Sequence, residues 1–127
     1  MFRELNDPSA PDAVRGWLSA PPSWAKIHFG QINGLDKIAP HLQAGEAAAI
    51  GLALERNIKL VLLDDYDARR EASDCGLVVV GTLRVLADAA LASLVSLPDA
   101  FARLQRTNFR AHPRLYDALL AETETRR

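Results

Sequence analysis

Two short apolar runs separated by one helix's worth of polar residues limit what this chain can fold into. "IKLVLL" spans residues 58–63 and "LVVVG" spans 77–81, with "YDARREASDCG" at 66–76 between them. Each run is too short for a helix, is rich in branched residues and lacks polar alternation, the pattern of a strand covered on both faces of a parallel sheet. The segment between them reads as a short helix closed by Gly76, since glycine takes the left-handed conformation that ends a helix at no steric cost. Strand, helix and strand in that order imply a parallel crossover in a layered α/β sheet.

The flanking sequence extends the alternation. "QAGEAAAIGLALERN", residues 43–57, predicts a helix with Glu46 in its first turn, Ile50, Leu52, Ala53 and Leu54 on its apolar face, and Asn57 at its end. Thr82 can cap a helix over about 83–94, and helices are expected from Pro98 to about Thr107 and from Pro113 onward. Toward the N-terminus, Arg3–Leu5 suggests a helix end broken by "NDPSAP", and Asp12–Leu18 a short helix with Val14, Trp17 and Leu18 on one face. "WAKIHF", 24–29, alternates apolar and polar residues and predicts a strand with His28 on its solvated side, followed by a connection through "GQINGLDKIAPHL".

Composition narrows the function classes. A chain of 127 residues fits one domain, here 1–127. Fifteen basic against sixteen acidic residues give a net charge of −1, so no global basic field advertises nucleic acid. The one cysteine, Cys75, excludes an internal disulfide, fits a reducing cytoplasm and reads as a structural residue near a helix end. The first residues carry no signal-peptide core, and no apolar stretch approaches the ~20 residues of a membrane span.

The candidate chemistry lies where the first apolar run stops, on Asp64-Asp65. Ligands of open α/β sheets gather beyond the carboxyl ends of the strands, and the helix bearing Glu46 should begin at that same edge. Converging carboxylates repel unless they are solvated, protonated or bound to a cation, and hard oxygen donors suit Mg²⁺ or Mn²⁺. The competing reading is local: either Asp can cap the helix at 66–76, and Glu46 suits a helix N-terminus. Arg69 and Arg70 follow at once, as phosphate contacts or as a solvated helix face. A receiver-type phosphoacceptor site is disfavoured, because Lys59 begins its strand rather than ending one.

Taken together, "LQAGEAAAIGLALERNIKLVLLDDYDARREASDCGLVVVGTLRVLADA" resembles the C-terminal half of PIN-like domains, in particular the short prokaryotic (VapC-like) subfamily of toxin and nucleic-acid-binding proteins. Its landmarks are all present: GE at a helix start, DD at a strand end, A-R-x-x-A, then GL-x-V-x-GT-L. The resemblance implies a three-layer α/β fold, a mostly parallel sheet with helices on both faces and a helical C-terminal third. It also implies a Mg²⁺- or Mn²⁺-dependent ribonuclease of toxin–antitoxin type, with an antitoxin partner and a homodimer or higher homo-oligomer. By position, Glu4, Glu46, Asp64 and Asp65 match the family's acidic sites, with Glu46, Asp64 and Asp65 at the reaction and Arg69 and Arg70 toward nucleic acid. The family's domains begin with an apolar strand ending in Asp, ahead of the segment that starts here at Phe2. The expectation is therefore an N-terminally truncated domain with an incomplete acidic site. The alternative is a non-catalytic module that binds an antitoxin or itself through apolar residues such as Phe101, Leu104, Phe109, Leu115 and Tyr116.

Overall fold

The structure is a computed structural model that describes residues 2–28 and 41–126. Seven helices and two strands occur among these residues: α1 Phe2–Leu5, α2 Asp12–Ser19, α3 Ala44–Glu55, β1 Leu60–Leu62, α4 Tyr66–Asp74, β2 Val78–Val80, α5 Thr82–Leu91, α6 Leu97–Gln105 and α7 Pro113–Arg126. The fold is mixed α/β with a short parallel sheet and a helical C-terminus. The Val78 N–H donates to the Lys59 carbonyl at 2.7 Å and the Leu63 N–H to that of Val80 at 2.9 Å, which sets Leu60 opposite Val78 and Leu62 opposite Val80.

The apolar runs form strands, but shorter ones than their sequence suggests, and they are not buried on both faces. Val61 and Leu63 are buried, whereas Leu60, Leu62 and Val78 are each more than half exposed. Side chains alternate along a strand, so Val61 and Leu63 turn to the buried face while Leu60 and Leu62 turn to the face that keeps its solvent contact. The alternating stretch at 24–28 forms no strand either, and its last expected residue, Phe29, lies outside the described residues, as does most of the connection that follows. His28 is exposed, as expected, but sits in irregular chain with its Nδ1 3.3 Å from Arg56.

The chain groups into two compact units, one of Met1–Val61 with Asp65–Val79 and one of Leu62–Asp64 with Val80–Arg127. In the first, α3 buries Ile50 and Ala53 and α4 buries Ala68 and Ala72. In the second, α5, α6 and α7 enclose Leu83, Ala87, Ala90, Leu97, Phe101 and Tyr116. The Phe101 and Tyr116 rings meet edge to face, 5.0 Å apart at 87°. These two residues are therefore core, not the exposed interaction surface that the sequence allows; Leu104 and Phe109 pack partly against them, and Leu115 alone of the five is exposed. The reason is spacing: Leu97 and Phe101 lie four residues apart on α6 and share the face turned to that core. A forked ion pair joins α5 to α7, with the Arg84 guanidinium donating to both Glu122 carboxylate oxygens at 3.1 and 2.9 Å, and Arg126 adding a third bond at 2.9 Å.

Three helices end in the same way. Gly76 at φ +84°, Asn57 at +55° and Ser93 at +59° take the left-handed conformation just past α4, α3 and α5. In each case the next N–H reaches back across the last turn: Leu77 to Ala72, Ile58 to Ala53 and Leu94 to Ala89, at 3.0, 2.9 and 2.9 Å. These are Schellman ends, which satisfy carbonyls that the helix leaves orphaned.

Candidate functional site

The acidic pair after β1 is divided between two helices. Asp65 is the N-cap of α4, its Oδ2 accepting the Ala68 N–H at 3.0 Å. Asp64 turns to α5 instead. Its Oδ1 accepts the Thr82 backbone N–H at 2.8 Å and its Oδ2 accepts the Thr82 hydroxyl at 2.5 Å. Thr82 is thus not itself the cap of α5. It is the first helical residue, preceded by Gly81, and it carries the donors that Asp64 satisfies. A negative charge at each N-terminus also complements the helix dipole.

The other candidate carboxylates hold local positions as well. Glu46 lies in the first turn of α3, where its Oε2 accepts the Gln43 N–H at 3.4 Å, one half of a capping box. Glu4 lies in α1 with its side chain exposed. Among the described residues, no group of three or more His, Cys, Asp or Glu side chains is gathered for a metal ion. The donor chemistry of these carboxylates suits Mg²⁺ or Mn²⁺, but their arrangement does not fit a preformed cage for one.

Around α4 the charges separate by face. Tyr66, Arg69, Arg70 and Ser73 follow one another at i, i+3, i+4 and i+7, and together with Val79 they line a shallow hollow of about 350 Å³. Asp67, Glu71 and Asp74, at i, i+4 and i+7, take another side of the same helix. Cys75 is the C-cap of α4, and its thiol is pushed above the ordinary thiol range by burial and then by Glu71 and Asp74. That favours the unreactive thiol over the thiolate, in keeping with a structural role.

Sequence reading missed the Asp64–Thr82 contact and the Arg84–Glu122–Arg126 cluster. The first joins residues eighteen apart, and its sole trace is the GT that follows the second apolar run. The second joins residues thirty-eight apart, and neither end stands out from its helix.

An α/β chain with a short parallel sheet and carboxylates at a strand's carboxyl end is the class that fold and site define. The chain belongs to the PIN-domain family: it matches the family described as "DUF3368: PIN domain" over residues 1–125. No curated protein and no solved structure gives a significant match. No described helix is long and apolar enough to cross a membrane.

Proposed function

We propose that the chain is a nuclease-type protein acting on RNA, of toxin–antitoxin kind, cytoplasmic, with an antitoxin partner and a homodimeric or higher homo-oligomeric assembly. The family match across nearly the whole chain carries this reading. Glu46, Asp64 and Asp65 are the residues proposed to face the scissile phosphodiester. With Glu4 they form the set of oxygen donors that a Mg²⁺ or Mn²⁺ ion would draw on. Arg69 and Arg70 are proposed phosphate contacts, supported by the basic, aromatic-edged face they share with Tyr66. The test is cleavage of a labelled RNA with Mg²⁺ or Mn²⁺, beside Asp64→Asn and Glu46→Gln. Metal-dependent cleavage lost in both variants supports the reading, and cleavage that survives them overturns the residue assignment.

A second reading has its own observation. Asp64 gives both oxygens to Thr82, and Asp65 gives one to Ala68, so the acidic edge already has structural work. A chain that retains the PIN fold as a non-catalytic partner-binding or self-associating module would show no cleavage and no metal-dependent shift in melting temperature. Light scattering would then find it in a complex or an oligomer.

A further inference from the structure

The two tryptophans of the chain sit together in a place the acidic edge does not explain. Trp17 on α2 and Trp24 in the following loop have ring centroids 6.0 Å apart and planes inclined at 56°. Trp24 is 76% exposed and Trp17 47%, an unusual state for the largest apolar side chain. They edge a cleft of about 510 Å³ within the first unit, floored by the small-residue face of α3 at Gly45, Ala48 and Ala49. Among the described residues lining this cleft, the ionisable side chains are Lys26 and His28, with no carboxylate. Arg56 stands behind His28 at 3.3 Å, and because a guanidinium can only donate, His28 Nδ1 accepts, which leaves Nε2 to carry the proton.

We infer that this cleft binds single-stranded nucleic acid, with a base stacked on the outer face of Trp24 and a neighbouring phosphate held by Lys26, the charge of Arg56 behind His28 adding to the positive field. The tilt of the two indoles leaves no parallel slot between them, so the platform is the outward face of Trp24. Aromatic faces joined to cations without competing carboxylates fit a polymer that is flat and anionic at every repeat. An apolar peptide would use the indoles but leave Lys26 unmatched. The inference deepens the nuclease reading by giving the strand a second contact, yet it concerns binding alone. It is tested without divalent metal, so the two readings fail separately.

The experiment is fluorescence anisotropy of fluorescein-labelled uridine and deoxythymidine octamers with the full chain in EDTA, beside heparin as a polyanion without bases. Trp24 is exposed, so Trp24→Ala should leave the fold intact, which circular dichroism checks. Loss of one stacking contact should weaken octamer binding by about 5- to 150-fold. Trp24→Phe should restore most of it, and heparin binding should not change. Lys26→Gln should lower affinity and flatten the salt slope by about 0.7, the share of one phosphate on a single strand. Preference for the uridine octamer assigns RNA; equal binding of both octamers assigns single strands generally, and either supports the site. Equal octamer binding by wild type and Trp24→Ala overturns it. So does tryptophan emission that responds to protein dilution but not to the octamer, which would give the cleft to a second copy of the chain.

Discussion

Removal of the Asp64 carboxylate separates its two readings by sign. If Asp64 serves α5, Asp64→Ala deletes two charge-assisted bonds to Thr82, at 2.8 and 2.5 Å. Bonds of this type contribute about 1.5–3 kcal/mol when sheltered, and lost helix caps cost about 0.5–2 kcal/mol. Asp64 is exposed, so the lower part of each range applies, and the expected loss is about 2 kcal/mol. Thr82→Val deletes the hydroxyl bond alone and should cost about 1 kcal/mol. Since both changes remove that shared bond, the double variant should fall short of additivity by about 1 kcal/mol. If Asp64 instead belongs to a set of mutually repelling carboxylates awaiting a cation, neutralising it in EDTA relieves repulsion, and Asp64→Asn is more stable than wild type. Urea unfolding followed by circular dichroism in EDTA decides between them, with an unchanged m value showing that stability alone has moved. An Asp64→Ala chain as stable as wild type or more so, or an additive Asp64→Ala/Thr82→Val pair, refutes the capping argument.

Ser93 holds φ +59° at the end of α5, a conformation that costs an L-residue more than glycine; Ser93→Gly should raise stability by about 0.5–1 kcal/mol, and Gly76→Ala, at φ +84°, should lower it by about 1 kcal/mol, both read from urea midpoints. Phe101→Ala opens a cavity against Tyr116 and should cost about 3–5 kcal/mol, with loss of the near-ultraviolet signal of the C-terminal helices. Hydrogen bonds from Arg84 and then Arg126 hold the Glu122 carboxyl at about 2, below its ordinary 4.5. A depressed carboxyl stabilises the fold above the unfolded value and loses that contribution as pH falls from about 4.5 toward 2, so Glu122→Gln should flatten the acid limb of a stability-against-pH curve.

Local signals were legible in the sequence where one segment contains both the cause and its effect. The two apolar runs, the helix between them and its glycine end need only period and turn chemistry, and they appear as β1, α4, Gly76 and β2. Asn57 was readable as a helix end for the same reason, whereas serine rarely takes that conformation and Ser93 gave no such cue. Non-local outcomes were not legible. The alternation at 24–28 has the period of a strand, but a strand also needs a ladder partner, and Trp24 is instead exposed beside Trp17. Phe101 and Tyr116 read from sequence as part of an interaction surface, and the packing of α5, α6 and α7 makes them core instead.

The same distinction explains the acidic pair. From sequence, Asp64 and Asp65 were a single feature with two readings, because a carboxylate at a strand end serves a helix N-terminus and a cation equally well. The structure divides them by partner: Asp65 looks along the chain to its own helix, and Asp64 looks across to Thr82, the first residue of α5. A helix N-terminus and a metal ion compete for the same lone pairs. Any cation at this edge must therefore share Asp64 with Thr82 or displace it, and the stability lost by Asp64→Ala measures what a displacing ion has to overcome. The Thr82→Val chain lowers that barrier while leaving every candidate ligand in place. If Asp64 ligates a metal by giving up Thr82, this variant should bind Mn²⁺ more tightly than wild type, by about the fivefold that 1 kcal/mol represents; equal or weaker binding would rule out displacement of Thr82 as the route to a metal.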